Sequence, residues 1–229
     1  MLKIRILLLI TIVVAACGER TVNNICTSDA YLKYGNALNN KRFFAFPEIR
    51  ENPLKWFDSI PESKLKKIIS PENFTMKASP GEVFVWQIGV WAVNGDVKDL
   101  QVEFSDLKGK VKVIPSAKMT CYNLGGTDFR GNVFRKQISI VKSRVQNLWI
   151  GVDLDSVFTG TYRGYVAVIA DGEKQILPVS LKVSGDPVSN HGYDEGSHLS
   201  RLNWLNSTLG TDEEVTRGFI PVTSEGRRI

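Results

Sequence analysis

The sequence lacks the short motifs that identify most enzyme families. It contains no G-x-S-x-G, no H-E-x-x-H, no phosphate-binding P-loop and no dinucleotide fingerprint. Histidine is scarce, since the chain has only His191 and His198, both in its last quarter. A Ser-His-Asp arrangement is not excluded, but no feature supports one. We therefore expect no cofactor and no metal site, and no residue is a candidate for catalysis by motif.

A dense block of one charge is also missing. The formal net charge of +5 falls to +3 when Lys3 and Arg5, which lie in the N-terminal leader, are left out. The remaining basic residues are interleaved with acids, which argues against nucleic acid as a partner. Hydrophobic residues make up 43% of the 229 and charged residues 23%, as in ordinary globular proteins. Such a length holds one large domain, or one domain and part of another.

No apolar run reaches the roughly 20 residues needed to cross a bilayer. The N-terminus instead has a short positive region, the apolar stretch Ile6–Val14 and two alanines before Cys17, as in a secretory signal. Val14–Cys17 resembles the bacterial lipobox, which implies a diacylglyceryl thioether and an acylated amine on Cys17. Several acyl chains anchor a protein stably. We predict a signal peptide at 1–16 and anchoring to the bacterial envelope, at the outer membrane; a cleaved signal with an incidental cysteine is the alternative.

Cysteine is sparse beyond the anchor position. Cys26 and Cys121 are the two others, and their spacing is not that of a zinc site. An oxidising envelope would permit a disulfide between them. Residues 17–30 are polar and predict a flexible tether, however, so two unpaired thiols are an equal alternative.

The clearest patterns in the rest of the chain are those of β-strands. Leu148–Val183 contains alternating apolar segments joined by Asp171-Gly172, a pair typical of a two-residue type I′ hairpin turn. Val83–Val93 is apolar except for Gln87, as expected of a strand covered on both faces. Other strands are predicted at Leu100–Phe104, Lys110–Ile114 and Val133–Val141. This spacing predicts that residues 31–185 form an all-β domain, an antiparallel, immunoglobulin-like β-sandwich.

Helical patterns are few. Pro61–Ile68 predicts one short helix whose lysines form a solvated face or, as a weaker alternative, a lipid-headgroup patch. Three phenylalanines either begin a strand or pack beneath the sheet: Phe43, Phe44 and Phe46. The character of the chain changes in residues 186–229, where Asp194–Asn206 predicts a short C-terminal helix capped by Asp194 or Ser197. A strand-like segment follows, which either returns to the sandwich or begins a further β region.

Two groups of residues have side chains suited to catalysis or metal binding. Asp153 and Asp155 are two apart on an extended segment, so both point the same way and could support glycoside cleavage. A strand end entering a turn is the better interpretation. One short window holds four residues of metal-ligating type: His191, Asp194, Glu195 and His198. They lack a recognised ligand spacing, so a loop before a helix explains them better.

Five tryptophans raise the question of sugar binding, because an aromatic ring can lie on the apolar face of a pyranose. Trp86 and Trp91 fall in the most apolar strand and Trp149 opens another, so all three are expected in the core. Trp204 is expected to pack the C-terminal helix. Trp56, in a proline-rich stretch, is therefore the candidate for an exposed glycan contact.

One stretch resembles a known family. Arg201–Thr216 follows the pattern R-L-x-W-L-N-S-T-x-G-x-D-x-E-V-T, which resembles a stretch in the N-terminal β-sandwich region of glycoside hydrolase family 123-like bacterial lipoproteins. Leu148–Val168 resembles accessory sandwiches of secreted bacterial enzymes. The resemblance implies that this region is non-catalytic and that a later (β/α)-barrel hydrolyses β-linked N-acetylgalactosamine. The chain would then end before the barrel, and Asp212–Glu214 would have no catalytic role.

The leading hypothesis is a non-catalytic N-terminal accessory domain of a cell-envelope glycoside hydrolase of the β-N-acetylgalactosaminidase type. Its expected partners are the membrane, through Cys17, the downstream catalytic barrel and a glycan. The alternative is a self-standing surface lipoprotein that binds glycan or another partner, with Trp56 as its contact. An enzyme that uses Asp153 and Asp155 is a third and weaker hypothesis.

Overall fold

The computed structural model describes residues 28–55, 60, 62–71, 73–155, 157–207, 215, 218–223 and 226. The elements within these ranges are α1 (Ser28–Asn39), β1 (Phe43–Glu48), α2 (Glu62–Ile69), β2 (Phe74–Ala78), β3 (Val83–Ala92), β4 (Gln101–Phe104), β5 (Leu107–Lys108), β6 (Val113–Ile114), β7 (Met119–Cys121), β8 (Gly125–Thr127), β9 (Val133–Arg135), β10 (Val145–Asp153), β11 (Gly160–Ala170) and β12 (Glu173–Val183). Short 3-10 helices lie at Ser116–Lys118, Ser189–Gly192, Gly196–His198 and Ser200–Asn206. None of the helices in the described ranges is long and apolar enough to span a bilayer.

Two packed sheets confirm the predicted all-β sandwich. The first has the strand order β1-β3-β10-β7, and the second has the order β2-β12-β11-β5-β6 with β4 also paired to β11. Strands β8 and β9 form a separate two-stranded ribbon. The pairs are antiparallel except that β2 runs parallel to β12. Strand β2 was not predicted, because it is short and its partner lies about a hundred residues further along the chain.

The hairpin predicted at Asp171-Gly172 is present. Both residues have positive φ, 49° and 80°, as a type I′ turn requires, and Ala170 pairs with Glu173 across it. On β12 the alternation is also as predicted, since the apolar residues of one face are buried: Leu177, Val179, Leu181 and Val183.

Strand β3 is buried along its whole length because its two faces contact different layers. Trp86 and Ile88 point into the core between the sheets, whereas Trp91 points outward into a second cluster formed with α1 and α2. The three phenylalanines of β1 are divided in the same way. Phe43 joins the inner core, and Phe44 and Phe46 join the outer cluster. The first sheet is therefore covered on both faces.

The predicted helix in the proline-rich stretch is confirmed as α2, whose Leu65 and Ile68 are buried against the first sheet. Lys66 and Lys67 on its other side are exposed. Helix α1 was not predicted, and it includes the last three residues of the range assigned to a tether. Of its described side chains only Leu38 is buried, so it has little amphipathic pattern to detect.

Other predicted elements are shorter or of another type. The strand expected at Val133–Val141 is reduced to β9, and the one at Lys110–Ile114 is reduced to β6. The C-terminal helix is a 3-10 helix over Ser200–Asn206 rather than an α-helix from Asp194, and no side chain caps it. Leucines recur there every three residues, which matches the 3-10 period of 3.0 better than the α-helical period of 3.6. Of the strand-like segment predicted after this helix, residues 218–223 are exposed and lie outside every strand.

Candidate functional site

A buried carboxylate lies where the sandwich meets the C-terminal segment. Glu82, just before β3, is only 2% exposed. Its Oε1 accepts a hydrogen bond from Nη1 of Arg50 at 2.7 Å, and its Oε2 accepts the N–H of Ser79 at 3.0 Å. Nδ1 of His198 lies 3.9 Å from the same Oε1. Arg50, Glu82 and His198 are called the Glu82 cluster below.

A second buried polar side chain holds the loop that carries Arg50. Gln87 is fully buried in β3, and its amide oxygen accepts the N–H of Leu54 at 2.8 Å. Its amide nitrogen donates to the carbonyls of Ile49 at 2.8 Å and Asn52 at 3.1 Å. Three bonds from one amide fix both ends of the loop, so Arg50 is presented to Glu82 in a single geometry.

The segment 189–206 approaches this cluster closely. Buried Ser200 donates its hydroxyl to the carbonyl of Gly192 at 2.8 Å. Gly192 has a φ of +78°, and a Cβ there would lie 2.6 Å from Nδ1 of His198, so a larger residue would collide with the ring. Nη1 of Arg50 also lies 3.4 Å from the carbonyl oxygen of His198. The cluster thus connects this segment to the sandwich.

The same segment holds backbone strain. Asn190, His191 and Leu199 have φ values of 47°, 52° and 54°, in the left-handed region that non-glycine residues avoid. Each such residue costs on the order of 1–3 kcal/mol and persists only where surrounding contacts determine the conformation. Contacts within the segment help to determine its conformation. The Tyr193 and Trp204 rings lie 5.9 Å apart, and Nδ2 of Asn203 donates to the Tyr193 hydroxyl at 3.0 Å.

The geometry of the Glu82 cluster suits a structural role, holding the segment 189–206, rather than catalysis. Both carboxylate oxygens already accept hydrogen bonds, and the carboxylate is closed to solvent. Nε2 of His198 lies 3.2 Å from Glu195 on the surface side. Among the described residues, no three histidine, cysteine, aspartate or glutamate side chains are grouped so that they could hold a metal ion. The window from His191 to His198 forms 3-10 turns, not a ligand set.

Asp153 and Asp155 lie where β10 enters a turn, as the preferred interpretation has it. Oδ1 of Asp153 accepts the N–H of Asp155 at 2.8 Å, and its Oδ2 pairs with Nζ of Lys118 at 3.0 Å. Asp155 is exposed. The first carboxylate thus stabilises the turn that carries the second, and the arrangement is not that of an acid and a base facing a common substrate.

The tryptophans are divided between core and surface. Trp86 and Trp91 are buried, as predicted, whereas Trp149 is only partly buried. Trp204 is exposed, and the guanidinium of Arg201 lies 5.9 Å from its ring. Trp56, the predicted glycan contact, lies outside the described residues. The same is true of Cys17 and Cys26, so lipidation remains a prediction; Cys121 is a free thiol, which agrees with the alternative of unpaired cysteines.

Cys121 is a free thiol beside an open groove of about 980 Å³ between β4, β7 and the β8–β9 ribbon. Burial raises the pKa of this thiol from 9.0 to about 12. Burial is also the largest cause of the raised pKa of Tyr122, followed by Tyr193 and Asp153. A neutral thiol is a poor nucleophile, so the position of Cys121 does not suit covalent catalysis.

Sequence reasoning did not identify Arg50 and Glu82. No motif contains them, and the two residues are 32 positions apart. Two local features could have indicated them. Gln87 interrupts an otherwise apolar strand, and Glu82 stands directly before that strand, so each is a polar group that needs a partner once buried.

No family model matches the chain, and no curated protein sequence matches it. Among solved structures, a family 123 glycoside hydrolase from Clostridium perfringens is similar over 63% of this chain and 28% of that enzyme, with 16% identity and a TM-score of 0.45. The CooA pilin subunit of enterotoxigenic Escherichia coli is similar over 62% of this chain and 99% of its own, with 14% identity and a TM-score of 0.31. Both TM-scores are below 0.5, so neither similarity supports a statement about function.

Proposed function

We propose that the chain is a non-catalytic β-sandwich module of a cell-envelope glycoside hydrolase, anchored through lipid on Cys17. The observation that carries this proposal is the Glu82 cluster. It holds the segment 189–206 against the sandwich, and the stretch that resembles family 123-like lipoproteins begins in that segment, at Arg201. The place where the resemblance begins is therefore a fixed part of the sandwich surface.

A rigid exit is what an accessory domain needs in order to position a catalytic domain. A flexible linker of n residues lets two domains separate by about 5–6 Å × √n, with no fixed orientation. Here polar contacts hold the chain up to Asn206, and they also maintain the left-handed backbone of Asn190, His191 and Leu199. Residues that follow thus start from a defined point and direction. Hydrolysis would be carried out by a separate catalytic domain, and the resemblance implies β-linked N-acetylgalactosamine as its substrate.

The proposal is tested first by an activity measurement. The purified chain should release no p-nitrophenol from p-nitrophenyl N-acetyl-β-D-galactosaminide, because Glu82 is closed to solvent and Asp153 is engaged by Lys118 and by the N–H of Asp155. Measurable release would contradict a non-catalytic role.

The second test is genomic: the reading frame that follows should encode the alternating strands and helices of a (β/α)-barrel. A frame without them would exclude the accessory role and leave a self-standing lipoprotein.

That second candidate, a surface lipoprotein that binds glycan by itself, is favoured by one observation. The outer face of the second sheet exposes Tyr165 beside several cationic side chains. Glycan binding by the chain in the absence of any catalytic domain would support it.

A further inference from the structure

The outer face of the second sheet, called the open face below, carries two like-charged pairs on neighbouring strands. Lys77 of β2 is the register partner of Lys182 of β12. Lys108 of β5 is the register partner of Arg163 of β11. All four side chains are exposed, while their sequence neighbours that point inward are buried: Met76, Leu107, Tyr162 and Leu181. The four cations therefore share one face, and together they are called the cation row.

The cation row is long and narrow. The sheet order places β2, β12, β11 and β5 side by side, so three spacings of about 4.8 Å give a row about 14 Å long. Arg163 is opposite Ser180, two residues from Lys182, so the two pairs occupy adjacent rungs. Diagonal neighbours of this kind are within reach of long side chains. The charges are thus spread along a line rather than gathered around one point.

No acid among the described residues neutralises the row. Its four members take part in none of the ion pairs found within the described ranges. Glu103, the acid on the described strands of the open face, pairs with Lys174 at 2.6 Å near the hairpin end. Like charges directly opposite one another destabilise a sheet, by about 0.2–1 kcal/mol a pair. A bound polyanion would turn this repulsion into attraction.

The residues around the row suit a sugar chain. Thr75 and Thr161 place hydroxyl groups on the same two rungs as the cations. Tyr165, which is 39% exposed, occupies the next rung with Pro178 opposite it. An aromatic ring on a flat sheet face can support a sugar ring, and hydroxyl groups can bond to its substituents.

A cationic loop lengthens the charged region beyond the sheet. Lys110 and Lys112 follow β5 and line a cavity of about 710 Å³ that also contacts Arg163. Nζ of Lys112 lies 3.8 Å from the ring of Phe158, which is exposed. The cationic surface therefore continues past the edge of the cation row.

We propose that the open face binds a linear acidic polysaccharide, with its carboxylate or sulfate groups along the cation row and a sugar ring on Tyr165. A compact phosphate would use one point of such a row, whereas an extended polymer meets all four strands. Exposed apolar side chains are also present, Val113 beside Lys108 and Ile176 nearer the hairpin, so phosphatidylglycerol vesicles form one arm of the test. The inference deepens the proposed glycan-directed function and relies on it for the class of ligand. It does not use the Glu82 cluster, so the binding proposal can fail while the proposed accessory role stands, and the reverse.

The test is a binding titration of the full chain, solubilised in non-ionic detergent, with polygalacturonate and with chondroitin sulfate. Dextran serves as the neutral polymer. We expect at least one acidic polymer to bind, dextran not to bind, and the affinity to fall as NaCl is raised. The double variant Arg163→Gln/Lys182→Gln should bind about tenfold more weakly. Tyr165→Ala should weaken binding about fivefold without changing its dependence on salt.

The matched control is Lys66→Gln/Lys142→Gln, which removes the same charge from two exposed lysines outside the second sheet, one on α2 and one in the turn before β10. It should change the affinity less than twofold. Equal losses in the two double variants would show a net-charge effect and overturn the proposal. Failure of both acidic polymers to bind would overturn it too, as would binding only to phosphatidylglycerol vesicles or equally tight binding of single-stranded DNA. Arg163→Gln/Lys182→Gln should be no less stable than the parent protein, because it relieves like-charge repulsion. A loss of binding in this variant is therefore not explained by unfolding.

Discussion

The substitution Glu82→Gln tests whether the Glu82 cluster holds the segment 189–206. Arg50 pairs with two acids, Glu82 at 2.7 Å and Glu51 at 3.2 Å, which are 2% and 63% exposed. Removing one partner of a buried pair costs about 3–5 kcal/mol because the other charge remains buried. Arg50 keeps Glu51 and the carbonyl of His198, so we expect about 3 kcal/mol. Glu51→Gln, the matched control on the same arginine, should cost at most about 1 kcal/mol.

Tryptic cleavage after Arg201 reports the opening of this segment. Arg201 lies in the 3-10 helix and its Nε donates to the carbonyl of Tyr193 at 3.3 Å, so the protease needs local opening to reach it. When opening is fast relative to cleavage, the rate follows the open population. Most of the 3 kcal/mol falls on the sandwich, because Arg50 and Glu82 both belong to it and only their contacts with His198 reach the segment. We therefore expect opening to become easier by about 1.4 kcal/mol, a roughly tenfold faster cut in Glu82→Gln, against at most about twofold in Glu51→Gln.

Equal cleavage rates at Arg201 in the two variants would refute the role of Glu82. So would an acceleration at Arg201 no larger than that at the other tryptic sites, because that result means global unfolding. Gly192→Ala is a second variant that leaves the sandwich untouched, since it places a Cβ 2.6 Å from Nδ1 of His198. It should accelerate the same cut with little change in the thermal midpoint.

Three further predictions concern other parts of the chain. In a Cys17→Ser/Cys26→Ser background, Cys121 should react with Ellman's reagent at pH 8 about a thousandfold more slowly when native than in guanidinium, because its pKa of about 12 is three units above 9.0. Its raised pKa also contributes stability that is complete below pH 9 and is lost as the pH rises towards 12, which urea titrations would detect. Cys17→Ser alone should abolish incorporation of labelled palmitate and release the protein from the membrane fraction; unchanged labelling would exclude the lipobox. Gly172→Ala should lower the free energy of unfolding by about 1 kcal/mol because φ is +80°, whereas Gly35→Ala, in open space on α1, should raise it by about 0.5–1 kcal/mol.

Local patterns account for the elements that could be predicted from the sequence. The β11–β12 hairpin depends on Asp171-Gly172 and on alternation within about ten residues to either side, all of which the sequence displays. Strand β3 was recognisable because an apolar run of that length needs two covering layers. Leu199, Leu202 and Leu205 recur every three residues, a spacing that indicates a helix but is close to both the 3-10 period of 3.0 and the α-helical period of 3.6.

What could not be predicted depends on contacts between distant parts of the chain. Gln87 holds the loop that carries Arg50, which places Arg50 against Glu82, and neither residue of this pair stands in a recognisable sequence motif. The cation row has the same origin. Its four members come from four strands that are far apart in sequence, so it appears as scattered basic residues until the register brings them together. The sequence has no dense block of basic residues, yet the register of the second sheet places four cations from separate strands side by side.

The parallel pairing of β2 with β12 determines when the domain can finish folding. Strand β2 is synthesised early, but its partner ends at Val183, so the second sheet has an unfilled edge until most of the chain is available. Pairings of such long sequence separation form slowly because a large loop must close first. We therefore expect closure of the second sheet to be a late step in folding, after the β1–β3 and β3–β10 pairings, whose strands are complete by Asp153.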